Sequence, residues 1–207
     1  MNSTNSTNST WSQRRKELVL TLLLLVLALF LFSRFVMWVE ERPGVVLNDP
    51  LLSILSPVDL TWPIFVLIYG GLLFGLLSLL TSPDRLLLTL RSYTLLLLVR
   101  IVAMYLTPFA PPEGMILLND PVAGLGPGGA MTNDLFFSGH TATLFLFVLT
   151  ARTGTLRIIF LLMTTILAVM LLMQHVHYTV DVLAAPFFAF GCYVLARRIR
   201  RDQLPLE

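Results

Sequence analysis

Long uninterrupted apolar runs, rather than short periodic segments, dominate the hydrophobic pattern of this chain. The first run, LVLTLLLLVLALFLF, begins at Leu18. Six runs approach the ~20 residues that a helix needs to cross a bilayer, and they cover residues 18–39, 62–81, 86–107, 136–151, 156–174 and 177–196. The break between the last two, around MQHVHYTVD, is the weakest because it holds few polar residues. The pattern predicts an all-α integral membrane bundle of six transmembrane helices.

Composition supports a membrane protein over a soluble domain. Of the 207 residues, 56% are hydrophobic and only 13% are charged, whereas a soluble domain of this length would expose more charge. The net charge of +2 gives no indication of nucleic-acid binding. Cys192 is the only cysteine, which excludes an internal disulfide and a cluster of thiolate metal ligands.

The basic residues fall on one side of the predicted bundle. That side receives Arg14, Arg15, Lys16, Arg85, Arg152, Arg157, Arg197, Arg198, Arg200 and Arg201. The opposite loops hold only Arg42. The positive-inside rule therefore predicts that both termini are cytoplasmic and that the loops at roughly 40–61 and 108–135 face outward. We expect a multi-pass protein of the cell membrane.

The chain divides into a tail, one membrane domain and a short end. Residues 1–17 are predicted to be a disordered polar and basic tail, which contains the low-complexity stretch NSTNSTNST. Its three glycosylation sequons matter only if the tail is translocated, and the charge bias argues against that. The first apolar run is too long for a signal peptide and reads as a retained anchor. Residues 18–201 form the predicted six-span domain, and 202–207 a C-terminal tail.

The two outward loops share the short sequence LNDP, at Leu47–Pro50 and at Leu118–Pro121. Four residues are too few to establish a repeat. We interpret both as turns in which the Asp or Asn side chain bonds its own backbone, since proline fixes the next φ.

All three histidines fall at the predicted outward face, at positions 140, 175 and 177. His177 and Asp181 are four residues apart, so on a helix they share a face and can touch. An aspartate that accepts the Nδ1 proton of an imidazole leaves Nε2 as a nucleophile or base. The alternative is a buried structural pair, although ionisable residues inside a span favour function. His175 would point away from His177 on a helix and is interpreted as a loop or interfacial residue.

The motif FSGH supplies a second set of candidates. Ser138 is a good helix N-cap, and the backbone N–H groups of Ser138, Gly139 and His140 are predicted to cradle an anion at the helix start. Glycine lets a phosphate approach the backbone closely. His140 would then act as a proton donor beside that phosphate. Asp134 either orients a histidine or caps the loop.

Arginines inside the spans have two interpretations each. Arg100 lies about two turns from the outer end of the third span, where its guanidinium suits a phosphate or pairs with an acid. Arg91 is close enough to the cytoplasmic end to extend its charge to the interface. For Arg34, near the outer end of the first span, pairing with an acid is preferred over phosphate binding.

Together these residues predict phosphoryl transfer. This reaction needs a nucleophilic histidine, an acidic partner for it, a second histidine that transfers a proton, and a helix start that binds an anion. No cluster of ligand residues indicates a metal or another cofactor. The lateral access of a membrane bundle points to a lipid substrate. An alternative from another class is a non-catalytic scramblase or channel, in which Arg100 and the outward polar residues line a path.

The motifs DLFFSGHTATL and HYTVDVLAA resemble the paired signatures of the sphingomyelin synthase family, within the type-2 phosphatidic acid phosphatase superfamily. VRIVAMYLTP, at residues 99–108, resembles that family's arginine-bearing third-span motif, and SPVDLTW is a weaker similarity. The resemblance implies a six-span enzyme whose catalytic residues are His140, His177 and Asp181.

In the scheme that the resemblance implies, His177 attacks phosphorus to form a phosphohistidine while Asp181 orients it. His140 protonates the departing diacylglycerol and then deprotonates the incoming alcohol, such as ceramide. Water in place of that alcohol would give a lipid phosphatase or a phospholipase C-type hydrolase. Asp134 and Tyr178 are candidate supporting residues, and the site would face the extracytoplasmic side.

Overall fold

The computed structural model describes residues 3–118 and 131–202, and within them the fold is all-α. Six α-helices follow one another: α1 (Ser3–Glu40), α2 (Thr61–Leu79), α3 (Pro83–Leu106), α4 (Gly139–Thr150), α5 (Gly154–Met173) and α6 (Thr179–Asp202). One 3₁₀ turn, Leu52–Ile54, lies between α1 and α2. The helix count and type follow the prediction from the apolar runs.

Five of the six helices are long and apolar enough to cross a membrane, and α4 is the exception. Its 12 residues rise about 18 Å, well short of the roughly 30 Å of hydrocarbon. The predicted span 136–151 therefore contains a shorter helix, because Ser138 caps it late and Ala151 ends it. Six full spans and cytoplasmic termini stay predictions.

α4 forms the centre of the bundle. It packs against α2, α3, α5 and α6, whereas α1 packs mainly against α3 at the edge. One core cluster joins α2, α4 and α5 around Ile64, Phe147 and Phe160. Another joins α3, α4 and α6 around Leu96 and Ala185. A short helix suits this central position, since protein rather than lipid surrounds it.

The first helix begins at Ser3, earlier than the Leu18 predicted as the start of the first span. Extending an existing helix is easier than nucleating one, so a strongly helical apolar run carries its preceding residues with it. The division into a tail, a domain and a C-terminal end stays a prediction, and residues 203–207 lie outside the described residues.

The first loop (residues 41–60) and the described parts of the second loop (residues 107–118 and 131–138) meet where α1 and α3 end. Val45 donates its N–H to Pro108 and accepts from Ala110, at 2.8 and 2.9 Å. This isolated parallel bridge brings both loops to the end of the bundle where α2, α4 and α6 begin. We call that end the site end.

Gln174 fastens α5 to both loops at the site end. Its side chain is fully buried, accepts from the Leu60 N–H at 2.9 Å, and donates to Thr61 Oγ1 and to the Ile116 carbonyl. A buried amide with all these partners fixes the loops relative to the helices. No local sequence feature indicates this role of Gln174.

Candidate active site

His140 and His177 lie next to each other at the site end. His140 is the second residue of α4, and His177 stands two residues before α6 begins. Their ring centroids are 6.5 Å apart, with the planes at 65°. His177 is only 2% exposed. The two histidines singled out from separate motifs therefore face one small volume.

Asp181 is fully buried beside His177. Its Oδ2 lies 3.5 Å from His177 Nδ1 and accepts the backbone N–H of Tyr178 at 3.0 Å. The second contact is one half of a capping box, in which the third helical residue bonds back to the cap residue. The side chains come together as predicted, although not through helical spacing, because His177 precedes the helix. Asp181 reaches back to it from the first turn of α6.

Ser138 caps α4, as its sequence predicts. Its Oγ accepts the Thr141 N–H, and the side chain is fully buried. Its own N–H donates to the Asp181 carbonyl at 3.1 Å, which ties the start of α4 to the start of α6. The prediction that this N–H faces an anion is therefore wrong. The predicted anion contacts reduce to the N–H groups of Gly139 and His140.

Arg100 reaches the start of α4 from the third helix. It is 5% exposed, donates from Nε to the Phe137 carbonyl at 3.0 Å, and pairs through Nη2 with Asp134 Oδ1 at 2.6 Å. The guanidinium also lies 5.0 Å over the ring of Phe32. The interpretation of Arg100 as the partner of an acid is therefore confirmed, and phosphate binding by its guanidinium stays a prediction.

Gly139 is what allows Arg100 to come so close. A Cβ built on Gly139 would lie 2.4 Å from Arg100 Nη1 and 2.8 Å from its Cζ. The guanidinium therefore occupies the space that any other side chain would fill. Arg100 Nη1 thus lies close to the first N–H groups of α4, and this cluster of donors suits an anion.

We expect Gly139→Ala to lower kcat/KM by about 100-fold, because a misplacement of about 1 Å at a reacting centre costs that much. The added methyl group must displace the Arg100 guanidinium. Gly70→Ala is the matched control, since a Cβ at Gly70 in α2 meets nothing within 4 Å. Steady-state kinetics on both purified variants checks the prediction, and equal activity would contradict it.

An apolar cavity of about 320 Å³ opens beneath this polar group. Its walls come from α1, α2, α3 and α4, and include Leu29, Phe32, Ile68, Leu72, Leu97 and Leu144. Arg100, Asp134, Gly139 and His140 also line it, whereas His177 lies beside it. The phenol-bearing Tyr69 and Tyr93, which the sequence analysis did not single out, are part of the wall. The cavity combines apolar walls with a guanidinium, a carboxylate and an imidazole at one end.

Three other residues that the sequence suggested as possible site residues lie away from the cavity. His175 sits in the loop between α5 and α6, as predicted, with Nδ1 bonded to the Glu113 carbonyl at 2.9 Å. Arg91 pairs with Glu17 of α1 at 3.2 Å. Arg34 is exposed on α1, where Nη1 contacts the sulfur of Met37. None of these three lines the cavity.

Tyr178 supports the site by holding the two loops in place through its hydroxyl group. Its hydroxyl donates to the Ala110 carbonyl at 2.9 Å and accepts the Leu47 N–H at 3.1 Å. Burial raises the pKa of the phenol above its ordinary 10.0, so the hydroxyl stays protonated. Tyr178 therefore links both loops to the residue that follows His177.

Glu40 and Asp49 are contributors that sequence reasoning missed. The Glu40 carboxylate at the end of α1 accepts the N–H groups of Thr132 and Asn133, both at 3.0 Å, and so fixes the segment that carries Asp134. No local signal marks it, because its partners lie 92 and 93 residues away.

Asp49, from the first LNDP sequence, forms the predicted turn and also accepts hydrogen bonds from the first residue of α6; we call these bonds to α6 the Asp49 clasp. Its Oδ1 accepts the Leu51 N–H at 3.0 Å and the Thr179 hydroxyl at 3.0 Å, while Oδ2 accepts the Thr179 N–H at 2.6 Å. A carboxylate at a helix N-terminus is favourable. The second LNDP turn, at residues 118–121, lies mostly outside the described residues.

The Asp49 clasp makes stability depend on pH. Burial alone would raise the pKa of this carboxyl, but the hydrogen bonds from Thr179, Leu52 and Leu51 outweigh it and lower the pKa below 3.8. A lowered folded-state pKa gives stability that is present above the unfolded value and lost as the pH falls through the folded one. We expect Tm to fall as the pH drops below about 5 and through the lowered folded-state pKa. Asp49→Asn should lower Tm at neutral pH and flatten this dependence, and parallel Tm curves for the two proteins would contradict it.

Among the described residues, no group of three His, Cys, Asp or Glu side chains is arranged to hold a metal ion. Chemistry without a metal remains a prediction of the sequence.

Comparison with known proteins agrees with part of the resemblance. Residues 131–198 match the family model described as PAP2 superfamily C-terminal, which spans α4, α5 and most of α6. No curated protein sequence matches the chain. Among solved structures, the crystal structure of Aquifex aeolicus LpxE is similar, with a TM-score of 0.49, 18% sequence identity, and coverage of 80% of this chain and 94% of that chain. The family match includes all of His140, His177 and Asp181.

Proposed function

We propose that this chain is a membrane-embedded lipid phosphotransferase. It moves a phospho-head group, of the phosphocholine or phosphoethanolamine type, from a glycerophospholipid to a lipid alcohol such as ceramide. The observation that carries the proposal is the pairing of His140 and His177, 6.5 Å apart, at the polar end of an apolar cavity. The match of residues 131–198 to the PAP2 superfamily model supports phosphoester chemistry at these residues.

In the first half-reaction, His177 is the nucleophile. Asp181, with Oδ2 3.5 Å from Nδ1, is the hydrogen-bond acceptor for the Nδ1 N–H, which keeps its proton, and so the Nε2 lone pair is left to attack phosphorus. Such contacts often shorten when substrate binds. The bond from phosphorus to the diacylglycerol oxygen breaks, and protonated His140 gives that oxygen its proton. The products are diacylglycerol and a head-group phosphohistidine.

In the second half-reaction, an acceptor hydroxyl attacks the same phosphorus. Its proton passes to His140, which is now neutral, and the bond from phosphorus to His177 Nε2 breaks. Arg100 and the N–H groups of Gly139 and His140 stabilise the charge on the phosphoryl oxygens in both steps. The balance is complete, since His140 ends protonated and His177 ends neutral.

The cavity supports a lipid substrate. Helices α1 and α2 both contribute to its wall, yet α1 packs mainly against α3. We expect an acyl chain to enter from the side between α1 and α2 while the phosphate meets Arg100. We place the site at the extracytoplasmic face, with both termini cytoplasmic, because the basic residues concentrate at the opposite end of the bundle.

A second candidate function is hydrolysis, in which water replaces the lipid alcohol. The match to the PAP2 superfamily model favours it, since that superfamily is named for a phosphatase. The site residues and both steps are otherwise the same.

Lipid product analysis by mass spectrometry separates these functions. Purified protein is incubated with phosphatidylcholine, phosphatidylethanolamine or phosphatidic acid, with and without ceramide. Transfer predicts a new phosphosphingolipid only when ceramide is present, whereas hydrolysis predicts diacylglycerol and a released head group or phosphate. Absence of turnover with every lipid, together with lipid flux that responds to Arg100→Leu, would favour a scramblase or channel and contradict both.

A further inference from the structure

His175 occupies a backbone position that normally belongs to glycine. α5 ends in a Schellman motif, in which the His175 N–H bonds the Leu172 carbonyl and the Val176 N–H bonds the Leu171 carbonyl, both at 3.0 Å. His175 is the left-handed residue of this motif, with φ 57°. A side chain there adds strain that glycine would avoid. The backbone conformation therefore does not explain why a histidine is present. The explanation must lie in the contacts of the imidazole ring.

The ring of His175 has a defined tautomer. Nδ1 lies 2.9 Å from the Glu113 carbonyl oxygen, and since a carbonyl only accepts, Nδ1 carries the proton. In the neutral ring Nε2 is then an acceptor. Nε2 is buried and has no hydrogen-bond partner among the described residues, and the side chain is 95% buried, with 5% exposed. A buried acceptor without a hydrogen bond is energetically costly, so Nε2 should be paired with a donor from a bound molecule.

His175 lines a cleft of about 600 Å³ between the two loops at the site end. Its polar lining includes Asn48, Asp49, Glu113 and Tyr178. Two of these residues are carboxylates, and no lysine or arginine is among the described lining residues. The charge favours a cation, and the His175 acceptor favours one that carries N–H groups.

The cleft is separate from the apolar cavity, since no described residue lines both. Tyr178 connects the two places, because its ring lines the cleft while its backbone N–H bonds Asp181. A ligand in the cleft thus lies one residue from the proposed nucleophile without occupying its site.

We propose that this cleft binds a primary ammonium group on a short polar molecule of the ethanolamine type. The ammonium donates to His175 Nε2, and the carboxylates of Glu113 and Asp49 supply the opposite charge. A trimethylammonium group has no N–H to donate and is therefore disfavoured. The source is either a lipid head group or the free molecule released by turnover, and this choice of sources rests on the proposed function.

NMR of the histidine ring nitrogens tests the proposal directly, since the chain has only three histidines. Protein labelled with ¹⁵N-histidine is titrated in EDTA with ethanolamine, phosphoethanolamine or choline, and is also placed in nanodiscs of phosphatidylethanolamine or phosphatidylcholine. Spectra of His175→Gly assign the signals. We expect an unprotonated His175 Nε2 that shifts with ethanolamine compounds and not with choline. A shift only in phosphatidylethanolamine nanodiscs identifies the lipid as the source, and a shift with the free compounds identifies the soluble one.

Calorimetric titration with the same compounds measures the contribution of each group. His175→Gly keeps the helix end, since glycine suits φ 57°, and should weaken ethanolamine binding about tenfold or more. Glu113→Gln keeps the carbonyl that holds His175 and should weaken binding about two- to fivefold. Asp59→Asn removes a charge from the same loop outside the cleft and should leave affinity unchanged.

Three results would overturn the proposal: no shift of His175 Nε2 in any ethanolamine arm, unchanged affinity in His175→Gly, or equal binding of choline. The titrations are repeated in His177→Ala, where binding should persist because it needs no turnover. A missing shift therefore contradicts the cleft site, whereas missing turnover in the wild type contradicts the proposed function.

Discussion

Replacing His177 with alanine should abolish lipid turnover, with a loss in kcat of at least about 10³-fold. The methyl group has no lone pair to attack phosphorus, and no other nucleophile is placed to substitute for it, since His140 must deliver the proton. Within the described part of the chain, buried His177 has a single ionic partner, Asp181, so the fold should survive. Mass spectrometry of the lipid products in detergent or nanodiscs measures the loss.

The same experiment yields a covalent test. The wild-type protein, mixed with donor lipid without an acceptor, should carry a head-group phosphoryl adduct on His177, and His177→Ala should carry none. Asp59→Asn is the control: this exposed carboxylate accepts the N–H of its neighbour Thr61, away from the histidines, so its replacement should leave turnover unchanged. Full activity of His177→Ala would rule out the phosphohistidine route.

The sequence predicted which residues come together better than it predicted the local geometry. FSGH was interpreted as a helix start and His177 as the partner of Asp181, and both features are present. The pair forms differently than expected, because α5 ends at Met173 and α6 begins only at Thr179. Hydropathy cannot resolve that break, since Val176 and Tyr178 are as buried as residues of a span.

Contacts between distant segments lay beyond the sequence. Asp49 was correctly interpreted as a turn residue, since its turn bonds lie within three residues. Its second role depends on Thr179, 130 residues away, and nothing local to either residue indicates the other. The same holds for Glu40. A single sequence indicates how a residue interacts with its neighbours along the chain. Partners that are far apart in the sequence can be identified only from the folded structure.

Arg100 was predicted to bind a phosphate or to pair with an acid, and these roles give different results when both charges are removed. In the pair, Arg100 Nη2 and Asp134 Oδ1 are 2.6 Å apart, with Arg100 nearly fully buried. Arg100→Gln alone should lower kcat/KM by about 10²- to 10³-fold, through the loss of charge stabilisation on the phosphoryl oxygens. It also leaves Asp134 without its cation, which destabilises the fold. The single variant therefore mixes catalysis with stability.

The double variant Arg100→Gln, Asp134→Asn separates the two effects. Because it removes both charges, it should recover most of the thermal stability lost in Arg100→Gln while kcat/KM stays low. Arg34→Gln is the matched control, since that arginine is exposed on α1 and its loss should change neither quantity. Kinetics and Tm measured on all four proteins complete the test. If the double variant regained wild-type kcat/KM, Arg100 would be a structural partner of Asp134, and phosphate binding would fall to the N–H groups at the start of α4.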